Sequence, residues 1–60
     1  MVDIKKIRFA REMTQTELAK RAGVKVQLVS MLEHGKRKPT IGTAKALAPH
    51  LGVDWTDFFK

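Results

Sequence analysis

The chain contains no cysteine, which excludes disulfide bonds and thiolate metal sites. The two histidines, His34 and His50, lie far apart, and neither has a second ligand at a useful spacing. No apolar run approaches the roughly 18 residues that a membrane span needs, and the sequence contains no stretch typical of a signal-peptide h-region. We therefore expect no metal, no cofactor, no membrane attachment and a cytoplasmic location.

The sequence also lacks the side-chain groupings on which enzymes depend. It has no pair of nucleophile and base, no glycine-rich phosphate loop and no pair of carboxylates placed for acid–base work. The nearest candidate, Glu17, is better explained as part of a helix cap. An enzymatic function is therefore not expected.

Acidic residues are scarce, with six against twelve basic residues and a net charge of +6. Between Lys20 and Thr40 only Glu33 opposes a cluster of basic residues. Such a cluster can serve solubility alone. Its position around a candidate groove-binding helix favours a polyanionic partner instead. The cluster comprises Lys20, Arg21, Lys25, Lys36, Arg37 and Lys38.

Sixty residues predict one domain, spanning residues 1–60, with a small core. No repeat, low-complexity segment or strand pattern is present, and apolar residues recur at helical spacing. The pattern predicts an all-α fold of five short helices. The first runs from Asp3, its cap, to about Glu12, with Ile4, Ile7 and Arg11 on one face.

A helix–turn–helix follows. Thr14 and Glu17 have the spacing of a capping box, which starts a second helix that ends near Ala22. Gly23 can adopt the left-handed conformation that stops a helix. A third helix is predicted from about Val26 to Glu33. Its inner face carries Val29 and Leu32, with Leu28 beside them, and its outer face carries Gln27, Ser30, Met31 and His34.

The last third of the chain predicts two further helices. Thr40 is a plausible cap for the fourth, Pro49 can bend its last turn, and Gly52 ends it. Asp54 opens the short fifth helix, from Trp55 to Phe59. The fourth helix carries apolar residues at helical spacing: Ile41, Ala44, Leu47, Ala48 and Leu51.

Three segments, QTELAKRAGV, LEHGKRKPT and LAPHLGV, closely resemble the Xre/Cro-like helix-turn-helix family of phage and bacterial repressors. The likeness extends from Ile4 to Phe59. It implies a compact five-helix, lambda-repressor-like domain with the helix-turn-helix at helices 2 and 3. It also implies that the third helix enters the major groove of double-stranded DNA and that the protein is a sequence-specific transcriptional regulator, a repressor.

Carried onto this chain, the resemblance implies that bases are contacted by Val26, Gln27, Ser30 and Met31. Gln27 can form two hydrogen bonds with an adenine edge, whereas Val26 and Met31 offer apolar surface to a thymine methyl. The alternatives are a solvated Gln27, a core position for Val26 and core filling by Met31. An operator with A·T-containing half-sites is the hypothesis.

The family pattern also implies that Gln15 contacts a backbone phosphate from the start of the second helix. Arg8 and Glu33 resemble a structural pair that orients the third helix from behind. Basic side chains around the same face are further candidates for phosphate contacts: Lys25, His34, Lys36, Arg37 and Lys38.

Three residues depart from the family pattern. Lys25 stands where a serine or threonine cap is common, and Glu12 stands where a turn-forming glycine is common. Pro49 interrupts the fourth helix. These departures leave open how firmly the third helix starts, how the first connection turns and how the fourth helix ends.

We expect a homodimer, at least on DNA, bound to a near-palindromic operator with half-sites about 10 bp apart. Trp55, Phe58 and Phe59 are candidates for a contact surface between subunits, and closing the small core is an equally good explanation. The alternative function is a protein–protein interaction module, antitoxin-like or adaptor-like, on the same fold. Such a module would not need the basic cluster.

Overall fold

The computed structural model describes residues 2–60, and this part of the chain is helical with no strands. The all-α prediction is confirmed, and the fifth predicted helix is a 3-10 helix rather than an α-helix. The helices are α1 (Ile4–Ala10), α2 (Gln15–Ala22), α3 (Val26–Glu33), α4 (Ile41–Leu51) and the C-terminal 3-10 helix (Trp55–Phe59).

Local capping signals explain where three of the α-helices begin. The Asp3 carboxylate accepts a hydrogen bond from the Lys6 amide at 3.0 Å, and the Thr40 hydroxyl accepts one from the Thr43 amide at 3.2 Å. The capping box at α2 is complete, because Thr14 Oγ1 accepts from the Glu17 amide while Glu17 accepts from the Thr14 amide. Each cap satisfies amides that the helix itself cannot.

The core is formed by the inner faces of all the helices. α2 packs on α3 and α4, α1 packs on the same two helices, and the C-terminal 3-10 helix packs on α4. This arrangement buries one stripe of each element and leaves most of the outer surface of α3 uncovered. The largest fully buried side chains are Ile4, Leu18, Val29, Leu32, Leu47 and Leu51.

The first helix is shorter than predicted, and a tight turn follows it. α1 ends at Ala10 rather than near Glu12, and the chain turns through Glu12 in the left-handed region with φ of 56°. The Met13 amide donates to the Arg8 carbonyl at 2.9 Å, which closes the turn. Glu12 thus adopts the conformation that a glycine would adopt at less cost.

Two residues that helical spacing grouped with the apolar positions lie on the surface. Ile41 is 57% exposed because it occupies the first position of α4, beyond the part of that helix that its neighbours cover. Arg11 is also exposed, and its guanidinium lies against Gly52 at the end of α4. The helical periodicity was correct for the rest of α4, where Ala44, Leu47 and Ala48 are buried.

Pro49 does not end α4, which continues through it to Leu51. Gly52 then adopts φ of 70° and stops the helix, as predicted. Within residues 2–60 no helix has the length and apolar character needed to cross a membrane. The same residues form no cluster of potential metal ligands.

Candidate nucleic-acid interface

α2 and α3 form a helix–turn–helix around Gly23. Gly23 has φ of 72°, a conformation in which a Cβ would be strained. The Val24 amide donates to the Ala19 carbonyl at 3.0 Å, and the half-buried Val24 packs against the core. This hydrogen bond and apolar contact end α2 and fix the angle at which α3 leaves it.

The outer face of α3 is only weakly covered by the rest of the protein. Gln27 is exposed, whereas Val26, Ser30 and Met31 are partly exposed. Val26 packs against the core at the margin of this face, and Met31 lies outside the core cluster. The four predicted base-contacting side chains therefore share one accessible face, which contains hydrogen-bonding groups and methyl groups but no charge.

The inner face of α3 holds the helix in position. Val29 and Leu32 are almost completely buried. Because these positions belong to the same short helix as the outer face, any rotation of α3 that moved Gln27 would also expose Val29 or Leu32. The core thus determines which side of the helix faces outwards.

The N-terminus of α3 is less firmly defined than that of α2. Lys25 occupies the N-cap position, and its side chain makes no capping hydrogen bond. The exposed lysine instead places a positive charge beside the first turn, where free amides already favour an anion.

A buried ion pair ties α1 to the end of α3. Arg8 Nε lies 2.8 Å from Glu33 Oε2, and Arg8 donates a second hydrogen bond to Glu33 Oε1 at 3.1 Å. The two side chains are only 6% and 2% exposed. Arg8 also donates to the Met13 carbonyl at 2.9 Å, so one guanidinium links α1, the first turn and α3.

Gln15 is the third member of this network. Its Nε2 donates to Glu33 Oε1 at 3.0 Å, which joins the start of α2 to the end of α3. The amide nitrogen carries two hydrogens. Gln15 can therefore keep this contact and still offer a second N–H to an anion at the start of α2.

The pKa of Glu33 reflects opposing effects. Burial acts to raise it, but the hydrogen bonds from Arg8 and Gln15 and the charge of Arg8 outweigh burial and hold the pKa below its ordinary value of 4.5. Glu33 is consequently a carboxylate at neutral pH. Its charge is balanced by Arg8, so it adds little repulsion towards an approaching polyanion.

Side chains that can contact phosphate lie at both ends of α3. Lys25 precedes its first turn, and His34 follows its last turn as the C-cap residue. The loop after Gly35 adds three exposed basic residues, Lys36, Arg37 and Lys38. Gly35 has φ of 69°, and the Lys36 amide donates to the Met31 carbonyl at 2.9 Å, which fixes the direction in which this loop leaves the helix.

His34 is oriented by the helix that it caps. Its Nδ1 lies 2.8 Å from the Ser30 carbonyl, so this ring nitrogen donates the hydrogen bond. The other ring nitrogen, Nε2, is left for a contact with solvent or another polar group. The exposed ring therefore has a defined orientation at the C-terminal end of the candidate interface.

Met13 is a core residue that was not predicted from the sequence. Its side chain is buried, its carbonyl accepts from Arg8, and its Sδ lies 3.7 Å from an Arg21 nitrogen. Met13 immediately precedes the Thr14 cap, and Leu18 lies in the core four residues after that cap. This spacing is the hydrophobic staple, a signal that the sequence does contain.

The C-terminal aromatics divide between the core and the surface. Phe58 is buried, so its assignment to a contact surface between subunits is wrong, and the alternative, closing the core, is correct. Trp55 is partly buried, with the Lys45 ammonium 4.9 Å from its ring centroid. Phe59 is 50% exposed and makes an edge contact with Trp55.

Comparisons with known proteins agree with this geometry. A family model described as Helix-turn-helix, HTH_3, matches residues 4–58. The uncharacterized HTH-type transcriptional regulator YqaF of Bacillus subtilis is 40% identical over 57 residues, which cover 95% of this chain and 75% of the relative. An uncharacterized HTH-type transcriptional regulator of Archaeoglobus fulgidus is 39% identical over 56 residues, covering 93% of this chain and 79% of the relative.

A further relative, the uncharacterized HTH-type transcriptional regulator y4dJ of Sinorhizobium fredii, is 42% identical over 48 residues. The match covers 80% of this chain and 62% of the relative. No solved structure matches the chain with comparable significance.

Proposed function

This chain belongs to the helix-turn-helix family of DNA-binding transcription regulators, which are not enzymes, and we propose that it is a sequence-specific repressor. The observation that carries the proposal is the accessible, uncharged face of α3 with cations at both ends of the helix. A helix of this kind suits insertion into the major groove, with its ends against the two phosphate backbones. We propose that residues 1–60 act as one DNA-binding domain.

In this proposal α3 contacts base edges through Val26, Gln27, Ser30 and Met31. Gln27 is the only member of this face whose side chain can form two hydrogen bonds with adenine. The partly exposed Val26 and Met31 would contact thymine methyl groups, and Ser30 can donate or accept with little discrimination. The operator half-site is therefore proposed to contain A·T pairs.

Phosphate contacts would come from the start of α2 and from both ends of α3. Gln15 supports this role because its amide has a second N–H beyond the one that it donates to Glu33. Arg8 and Glu33 act behind the interface by fixing α3 and Gln15 together. The remaining proposed phosphate contacts are Lys25, His34, Lys36, Arg37 and Lys38.

One such domain has too small a surface for tight specific binding by itself. We propose that two copies bind a near-palindromic operator, with the α3 helices in successive major grooves about 10 bp apart. Because its proposed target is the DNA of a bacterium or phage, the protein would act in the cytoplasm, at the nucleoid.

The experiment that tests this function is a titration with double-stranded DNA of random sequence at two salt concentrations. A DNA-binding protein with this charge distribution should bind random duplex and lose affinity steeply as salt increases. A protein–protein adaptor on the same fold has no need of this binding. Absence of salt-dependent binding would favour the adaptor and contradict the proposal.

A further inference from the structure

An apolar cavity lies on the surface between the end of α3 and the C-terminus. It has a volume of about 490 Å³ and extends from the loop after α3 to the C-terminal 3-10 helix. This volume is within the usual range for small-molecule sites. The apolar part of its lining comes from Leu32, Gly35, Pro39, Phe58 and Phe59, and its basic part from Arg37, Lys38 and Lys60.

The charged side chains that line this cavity are all basic. Arg37 and Lys38 are exposed, and within residues 2–60 neither forms an ion pair. Lys60 lies 3.1 Å from Asp57, so its charge is partly balanced. No acidic side chain lines the cavity. An occupant that combines an apolar body with a negative group would complement both the lining and the rim.

We propose that this cavity binds small amphipathic anions, namely carboxylates with an aliphatic or aromatic body. The apolar body would contact Phe59 and Pro39, and the carboxylate would be held by Arg37 and Lys38. Each contact alone is weak, because a shallow apolar surface and an exposed charge each contribute little. Together they select for ligands that contain both groups.

A second copy of the chain fits the cavity less well than such an anion. A symmetric contact would place the same surface of two subunits face to face. Arg37 and Lys38 of both subunits would then lie in one interface, at a cost in repulsion between like charges. The rim charge thus favours an acidic small molecule over self-association at this surface.

Binding at the cavity would compete with DNA. Arg37 and Lys38 belong both to the rim and to the loop proposed to contact phosphate. A carboxylate held by these side chains reduces the positive charge available to the DNA backbone. This competition rests on the proposed function, whereas binding of the anion to the free protein does not.

The test of the site itself is an NMR titration of the free protein with octanoate below its micelle-forming concentration. Octanoate should shift the amide resonances of Gly35, Lys38 and Phe59. Acetate and 1-octanol should each bind at least about tenfold more weakly, because each lacks one of the two required groups. Equal binding of acetate or of 1-octanol would overturn the proposal.

Two exposed phenylalanines provide a matched pair of variants. Phe59→Ala should weaken octanoate binding about 3- to 10-fold through lost apolar contact. Phe9→Ala, at a phenylalanine that is 61% exposed on α1, should leave octanoate binding unchanged. Equal effects of the two substitutions on octanoate binding would overturn the proposed site. A dimer in solution that Phe59→Ala converts to a monomer would also overturn it, because the surface would then be an interface between subunits. If Phe59→Ala perturbs folding, Lys38→Gln should still weaken octanoate binding relative to Lys5→Gln.

A second measurement tests the competition with DNA separately from binding of the anion at the cavity. Octanoate should weaken binding of random duplex DNA by the native protein and have less effect on the Phe59→Ala variant. If octanoate binds the free protein but does not affect DNA binding, the site stands and the competition is wrong. If the protein binds no DNA at all, the proposed function fails while the NMR titration still decides the site.

Discussion

Glu12 has a backbone conformation that L-residues with a side chain rarely adopt. Its φ of 56° lies in the left-handed region, and the turn is held there by the Met13 amide and by Arg8. A non-glycine residue in this region costs roughly 1–2 kcal/mol. A glycine avoids this cost but loses more conformational entropy on folding, so the net gain from a glycine is smaller. The first turn is therefore a place where the protein is less stable than it could be.

We predict that Glu12→Gly increases the free energy of unfolding by about 0.5 to 1 kcal/mol because it removes this strain. Urea denaturation monitored by circular dichroism provides the measurement. Glu12→Ala is the matched control, since it removes the carboxylate but keeps a Cβ at the same φ. A gain in the alanine variant as large as in the glycine variant would show that charge, not backbone strain, is responsible.

Individual residues differ in how far sequence determines their place. Asp3, Thr14 and Thr40 cap helices through contacts only a few residues away, so they could be predicted. The exposure of Ile41 depends on which neighbours cover the first turn of α4, information that helical periodicity does not contain. The contact of Gln15 with Glu33 joins two helices, so it could be identified only from the folded structure.

At the scale of elements, α3 is the helix with the clearest conflict between stability and function. Its inner face is firmly packed, yet its N-cap residue, Lys25, makes no capping hydrogen bond. A serine at that position would cap the helix but remove a charge from the proposed DNA-binding surface. The presence of a lysine at this N-cap is explained if its contact with phosphate matters more than the stability of the helix.

We predict that Lys25→Ser raises the free energy of unfolding by about 0.5 to 1 kcal/mol while weakening binding to every duplex sequence. Lys25→Gln provides the control, because it removes the charge without supplying a short capping oxygen. Denaturation and DNA titration should show equal losses of binding in the two variants and a gain of stability only in the serine variant. Unchanged DNA binding in both would remove Lys25 from the interface.

The contact of α1 with α3 depends on ionised Glu33. Its pKa is lowered in the folded protein, so its contribution to stability is complete above the ordinary value of 4.5 and is lost as pH falls through the lower folded value. We predict that the free energy of unfolding decreases on acidification through this range. Glu33→Gln should have a flatter pH dependence and should lose about 3 kcal/mol at neutral pH, because Arg8 is left buried without a counterion.

Thermal unfolding between pH 3 and pH 7 tests this expectation. Exposed Asp54 also has a lowered pKa, caused by hydrogen bonds from the Thr56 amide and hydroxyl. The variant Asp54→Asn therefore measures how much of the pH dependence of stability comes from Asp54. If Glu33→Gln does not fold, replacement of both Arg8 and Glu33 by methionine avoids the unpaired charge and should be better tolerated. The same pH dependence with and without the Glu33 carboxylate would contradict the role given to the ion pair.

The bounds of α2 and α3 could be predicted because a capping box, a left-handed glycine and two apolar stripes lie within the segment itself. The end of α1 could not, because it depends on how Arg8 is held by the distant Glu33 and by the Met13 carbonyl. The pairing of Arg8 with Glu33, 25 residues apart in sequence, was expected only from the family resemblance.

At the scale of the whole molecule, charge is distributed so that affinity and specificity have different sources. Residues 20–40, which contain α3, hold six of the twelve basic residues and only one acidic residue, whereas the outer face of α3 itself is uncharged. Affinity for any duplex should therefore come from counterion release at the lysines and arginine. We propose that discrimination between sequences comes from Gln27 and a few methyl groups.

We predict that Lys36→Gln and Lys38→Gln each weaken binding to all duplex sequences alike and reduce the slope of log affinity against log salt by about one. Fluorescence anisotropy at several salt concentrations measures this slope. Lys5→Gln, at an exposed lysine on α1 outside the proposed interface, should leave the slope nearly unchanged. Equal changes in all three variants would mean that only net charge matters, not its position around α3.

The central claim, that α3 distinguishes DNA sequences through Gln27, is tested most directly by selecting bound duplexes from a random pool. Native protein and the Gln27→Ala variant would be compared in parallel. The native protein should enrich paired half-sites about 10 bp apart that contain an A·T pair, and Gln27→Ala should lose about 1–3 kcal/mol of discrimination at that one position. No enriched sequence with the native protein, or an identical preference at every position in the variant, would contradict the claim.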